Sequence, residues 1–209
     1  MKADGPARIG AMRVRAALAL ALAVLLASCA VAPRRQAAQL PWPERRARLQ
    51  ALDPYELAGR VAVAAGSEGF SAHLTWRQQG ARSTVELEGP LGIDGWHIIA
   101  DGETLDVQTS KGERLASDEA RAELEGKLGF DPPLASLRYW LLGVPDPAHP
   151  ASETLGTDQR LAALVQDGWQ IGYPDYLDTN GYSLPHHLTL RHGDVRVRLV
   201  VYRWQPRSG

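Results

Sequence analysis

Three places in this chain carry residues whose types and spacing could do chemistry. The first is Cys29, the only cysteine among 209 residues. A lone thiol cannot close an internal disulfide. Cys29 ends an apolar run that begins near Ala16, with Leu26-Ala27-Ser28 directly before it. Small residues there let a peptidase approach the backbone, and the sulfur can accept a diacylglyceryl group. The second place is His186-His187, after Pro185. Neighbours on a strand point to opposite faces, so the pair is not expected to chelate one ion, and a polar strand start is the plainer reading. The third is Asp175, Asp178 and Asn180. Their spacing suggests a calcium loop but lacks the glutamate such a loop needs, so the segment reads as an ordinary loop. No G-x-S-x-G elbow, HExxH, CxxC, Walker loop or dinucleotide-binding glycine pattern occurs. Neither catalysis nor a cofactor nor a metal is therefore expected, and an envelope hydrolase with an unrecognised site is the least attractive reading.

Leu26-Ala27-Ser28-Cys29 resembles a bacterial lipobox. Arg13 and Arg15 supply a basic leader, and the run from Ala16 to Ala27 is too short to span a bilayer comfortably. Residues 1–28 are expected to be a signal peptide, with Met12 a better start than Met1. Cys29 then becomes a lipidated N-terminus, which two or more acyl chains hold stably at a membrane. In lipoproteins of this kind an aspartate after the cysteine commonly marks inner-membrane retention. Ala30 stands there instead, which points to the outer membrane, facing the periplasm.

The elements that position everything else lie in the 181 residues from Cys29 onward, enough for one domain with a proper core. That part carries 19 basic and 23 acidic residues. An acidic, exported body disfavours nucleic-acid binding. Residues 29–42 read as a proline-bearing tether and 43–209 as a single domain. Arg34, Arg35, Arg45, Arg46 and Arg48 cluster near the tether. They suit either anionic headgroups, at about 1 kcal/mol each, or a solvated linker and helix face.

Pro43 to Leu52 has the pattern of a short helix, with Trp42, Leu49 and Leu52 along one side. Period-two alternation follows at Val61–Ala64, Phe70–Arg77, Val85–Glu88 and Leu105–Gln108, the mark of an antiparallel meander. Two helices interrupt it. Ser117 is expected to cap the first, with Ala120, Leu124 and Leu128 on its apolar side and Gly129 at its end. Pro132-Pro133 open the second, where Leu134, Leu137, Trp140 and Leu141 recur at helical spacing. Strands resume at Leu161–Gln166 and Trp169–Tyr173 around an Asp167-Gly168 turn. They continue at His187–Arg191 and Val195–Trp204 around His192-Gly193. The economical solution is a strongly curved antiparallel sheet with helices on its concave side. Leu91 and Ile93, in Gly89-Pro90-Leu91-Gly92-Ile93, are bulky and apolar in a turn. They suit either a tip folded into the core or an exposed tip that touches lipid or a partner.

Taken in order, several short pieces make the chain similar to the LolB family of outer-membrane lipoprotein receptors. They are the lipobox, Trp42, Gly59-Arg60-Val61, Phe70 to Trp76 with its Trp-Arg-Gln-Gln turn, Pro90-Leu91-Gly92, and Thr109 to Gly112. Pro133-Leu134, Leu137 to Pro145, Gly168-Trp169, Leu184-Pro185 and the last strand ending at Trp204 complete the match. The family usually has asparagine where Gly89 stands. The resemblance implies an α+β fold: an incomplete antiparallel β-barrel with a helical lid over an apolar cavity. It implies a non-enzymatic, cofactor-free monomer that accepts lipoproteins from a periplasmic LolA-like carrier. Their acyl chains are sheltered and then passed to outer-membrane phospholipid. It makes Leu91, flanked by Pro90, Gly92 and Ile93, a membrane-insertion tip. Leu74, Trp76, Val85, Leu87, Leu137, Trp140 and Leu141 are candidate cavity-lining residues. The rival from another class is a scaffold lipoprotein with a filled core that binds an envelope partner through its sheet.

Overall fold

A computed structural model describes residues 40–90 and 95–207. Cys29 and Leu91, with Gly92 and Ile93, lie outside the described residues. Helix α1 (Trp42–Gln50) leads into β1 (Tyr55–Ala65), β2 (Glu68–Gln79), β3 (Arg82–Glu88), β4 (Trp96–Asp101), β5 (Thr104–Thr109) and β6 (Arg114–Ala116). Helices α2 (Ser117–Leu128) and α3 (Leu134–Trp140) follow. Then come β7 (Ala151–Leu155), β8 (Leu161–Gln166), β9 (Trp169–Thr179), β10 (Tyr182–His192) and β11 (Val195–Pro206).

All eleven strands form one antiparallel sheet in the order β6-β5-β4-β3-β2-β1-β11-β10-β9-β8-β7. It is two meanders joined where β1 pairs with β11. The edges β6 and β7 do not pair with each other, so the barrel is incomplete, as expected. Alternation fixes the register. In β11, Val195, Leu199 and Val201 are buried, while Arg196 and Arg198 are exposed. The β1–β11 ladder slips once, between Ala58 and Gly59, and this returns Trp204 to the inside. Gly59 is required there, because a Cβ would meet the Val200 carbonyl oxygen at 2.3 Å.

The structure corrects several local expectations. Ser117 does not cap α2: Ala116 occupies that position, and Ser117 opens the helix at φ +53° with no side-chain capping bond. The last hairpin turns at Gly193 and Asp194, one residue later than His192-Gly193. Asp175 and Asp178 are not in a loop. They belong to β9, and Asn180-Gly181, both at positive φ, make a two-residue hairpin turn to β10. Strands β4, β6 and β7 had no counterpart in the expected pattern.

Helix α2 crosses the β1–β6 half of the sheet. It follows β6 at one end, and Gly129 beyond its other end sits against Ala65 of β1. Its length, about 18 Å at 1.5 Å per residue, suits that path. Ala120, Leu124 and Leu128 face inward. One continuous apolar core lies between the sheet and the helices.

Candidate functional site

The candidate site is the apolar face beneath α2 and α3. Leu74 and Trp76 of β2 stand opposite Leu87 and Val85 of β3, so four of the seven lining candidates form two cross-strand pairs. Trp140 and Leu141 reach the same core from α3, and Leu137 packs against it partly buried. Six of the seven thus belong to the one apolar core of the domain and Leu137 packs against it. Apart from Leu137, none is more than 8% exposed. In this conformation they are packed within that core. Two depressions open to solvent beside them. One of about 300 Å³, on β3, β4 and β5, is bordered by Glu86, Glu88, His97 and Gln108 as well as Leu87 and Trp96. The other, about 190 Å³, is bordered by Asp53, Gln78 and Arg138.

The helices are held in different ways. Helix α3 and the segment after it are tied by a buried polar network that sequence reasoning missed. Gln166, 2% exposed on β8, makes four hydrogen bonds. Its Oε1 accepts from the Trp140 indole at 2.7 Å and from the Asp146 N–H at 2.9 Å. Its Nε2 donates to the carbonyls of Asp146 (2.8 Å) and His149 (2.9 Å). Ser136 donates to Asp146 at 2.9 Å, and the Tyr173 hydroxyl donates to the Trp140 carbonyl at 3.0 Å. Tyr55 donates to the carbonyl of Arg138. A buried network satisfied this fully resists displacement, because each broken bond strands a desolvated group. Helix α2 is different. Among the described residues no side-chain hydrogen bond or ion pair joins it to the sheet; its contacts with β1, β5 and β6 are apolar. Such contacts are non-directional and can be exchanged for others.

Helix α1 is clamped at the opposite edge. Glu153 of β7 accepts from the Trp42 indole at 2.6 Å and from Arg46 at 2.7 Å. Arg45 donates to the Gln159 carbonyl at 3.3 Å, and Arg48 lies 4.3 Å from the centre of the Tyr182 ring. These three arginines thus contact the body of this domain. Arg34 and Arg35 lie outside the described residues.

Burial pushes the Tyr55 and Tyr173 phenols well above their ordinary range, so both stay neutral donors. The linkage has a definite sign. A folded-state pKa above the unfolded value near 10 contributes stability that is complete below about pH 10 and fades above it. The urea midpoint should hold to about pH 9.5 and then fall, each phenol contributing up to about 1.4 kcal/mol per pH unit. A midpoint unchanged to pH 11 would contradict the buried, neutral state of these rings.

His186 and His187 do not point to opposite faces as the strand period predicts. Both histidines lie beside Asp175: its carboxylate is 2.7 Å from His187 Nδ1 and 3.5 Å from His186 Nδ1. The cause is a break in the ladder. Pro185 pairs with Tyr176, His187 with Asp175 and Thr189 with Gly172, so an extra residue on β10 is followed by one on β9. The two-residue period that separates neighbouring side chains fails there. The visible signal was the pair of prolines, Pro174 and Pro185, which cannot donate to a regular ladder.

Residues 53–204 match the family model described as outer membrane lipoprotein LolB. A Pseudomonas putida protein named outer-membrane lipoprotein LolB is 35% identical over 94% of this chain and 98% of its own length. A Stutzerimonas stutzeri protein of the same name is 31% identical over 91% and 95%. Among solved structures, a DUF1329 family protein from Desulfovibrio piger shares the fold, with a TM-score of 0.50 at 6% identity over 80% of this chain and 92% of that one.

Proposed function

This chain belongs to the family of the outer-membrane lipoprotein LolB, and from that premise we propose that it receives lipoproteins from a periplasmic LolA-like carrier. It shelters their acyl chains beneath α2 and passes them into the inner leaflet of the outer membrane. It is held there by lipid on Cys29 and works as a monomer without cofactor or catalysis. The observation that carries this reading is the contrast between the two helices. A continuous apolar face is roofed on one side by α2 through exchangeable contacts alone, while α3 is fixed by polar bonds.

Magnitudes favour the exchange. Lifting α2 uncovers Ala120, Leu124 and Leu128, at a cost on the order of 5 kcal/mol. Burying a dozen methylenes of a guest chain returns roughly 10 kcal/mol. Occupancy can therefore drive opening, and the empty protein closes on itself as a packed core. Release to the bilayer then needs only a small affinity difference, about 1.4 kcal/mol for each tenfold step. The tight packing of the lining candidates also suits the rival scaffold reading, in which the core never opens; uptake of an acyl probe separates the two.

Leu91 is the proposed insertion tip, with Pro90, Gly92 and Ile93 beside it. Burying one leucine contributes roughly 1.5–3 kcal/mol, enough to bias docking but not to anchor the protein. Leu91→Glu should leave capture from loaded carrier within about twofold, while delivery to liposomes falls at least tenfold. Equal efficiency in both steps would remove the tip's role.

A further inference from the structure

We propose that Asp175, His186 and His187 form a binding site for one divalent transition-metal ion, with Zn²⁺ the best fit. Two imidazoles and one carboxylate are the donor set that zinc takes in three-ligand sites, the fourth position going to water. Calcium and magnesium prefer all-oxygen shells and are disfavoured by the two rings.

Geometry carries the assignment. One ligand atom from each residue lies within 4.8 Å of the others. Zinc–ligand bonds of about 2.0–2.2 Å in a tetrahedron place ligand atoms about 3.4 Å apart. Measured to the single oxygen Asp175 Oδ2, His187 Nδ1 is at 2.9 Å and His186 Nδ1 at 3.5 Å, which bracket that value, so side-chain rotation suffices. The backbone is arranged to allow it. The paired bulges at Pro185–Thr189 turn two consecutive histidines toward one carboxylate, and their ring centres are 4.0 Å apart. The Trp204 indole holds the Pro185 carbonyl at 2.9 Å, fixing the bulge from the core side. The His187 N–H donates to Asp175 Oδ1 at 3.1 Å and orients the carboxylate. All three side chains are partly exposed, from 30% to 50%, so an ion can enter and a water can complete the shell. A single histidine would satisfy this carboxylate. A second, brought in by a local break in the sheet, is what a metal needs and a surface ion pair does not.

The site shares no residue with the lipid-binding face, so its failure would leave the lipoprotein-transfer reading untouched. The test is calorimetric titration of Zn²⁺ into full-length protein in detergent at neutral pH, after chelator treatment. One ion per chain is expected. His186→Gln, His187→Gln and Asp175→Asn should each weaken binding at least tenfold. His149→Gln, at the other histidine–carboxylate pair (2.8 Å to Asp167), should leave it unchanged. X-ray absorption on the zinc-loaded natural sequence gives a readout independent of the variants' folding, and should count two imidazoles with the remaining ligands oxygen. A sulfur ligand would assign the ion to Cys29 and overturn the proposal. So would uptake unaffected by the double variant His186→Gln/His187→Gln, or no uptake at zinc concentrations of about 100 µM, well above those that fill a built three-ligand site.

Discussion

Gln166→Leu is expected to destabilise the domain by about 3–5 kcal/mol, a large share of the whole stability of an ordinary domain. Leucine keeps most of the buried volume, so the cost is polar. The Trp140 indole N–H, the Asp146 N–H and the carbonyls of Asp146 and His149 all lose their partner at once. Each orphaned buried group costs about 1–3 kcal/mol. The sum is not additive, because the segment from Val144 can loosen and admit water to some of them. At a urea slope near 2 kcal/mol/M, the midpoint should fall by roughly 2 M. Trp140→Phe removes one donor and leaves the other three bonds standing. In a double-mutant cycle the two substitutions should therefore couple by about 0.5–3 kcal/mol. A Gln166→Leu effect below about 1 kcal/mol would mean that the hub does not hold α3, and the contrast between the two helices would lose its basis.

Why a glutamine carries this weight could not be read along the chain. Gln166 ends an alternating strand just before Asp167-Gly168, where a polar residue facing water is the natural expectation. Its partners lie 17 to 26 positions earlier, at the end of α3 and in the irregular segment after it. What was legible had a local cause. Alternation marked β2, β3, β5 and β11, and Asp167-Gly168 marked its hairpin. The Leu134, Leu137, Trp140, Leu141 spacing marked α3. Strand β4 was missed because its burial barely alternates: Ile98 is buried and its neighbours are half-covered on both faces. Strand β7 was missed because it is a polar edge. Asn180-Gly181 is a strong hairpin signal, but the nearby carboxylates drew the segment toward a metal-loop reading and then to an ordinary loop. The histidine cluster was lost because a period of two was assumed to continue through two prolines. The seven lining candidates were found as an apolar face, yet apolar alternation reads the same for a dry core and for a site that opens.

Leu124→Ala separates a dry core from a site that opens. Leu124 is 1% exposed on α2 and belongs to the apolar patch that seats the helix on the sheet. Truncating it removes about 2–4 kcal/mol from the closed form. A form with α2 lifted already exposes that side chain and loses little. The balance between closed and open forms therefore shifts by nearly the whole amount, and every 1.4 kcal/mol is a tenfold gain in the open fraction. Apparent affinity for a ligand that binds only the open form rises by the same factor while that fraction is small. A fluorescent long-chain acyl probe should then bind Leu124→Ala at least tenfold more tightly than the natural sequence, although the variant melts earlier. Leu164→Ala is the matched control. Leu164 is fully buried on β8, two positions from Gln166, in the half where α3 is tied down. It should lose comparable stability and gain no probe affinity, which also rules out a mere cavity as the binding site. Equal probe affinity in the two variants would place the guest in any void rather than under α2. No probe binding in either would leave a permanently filled core, and with it the scaffold reading, as the account that survives.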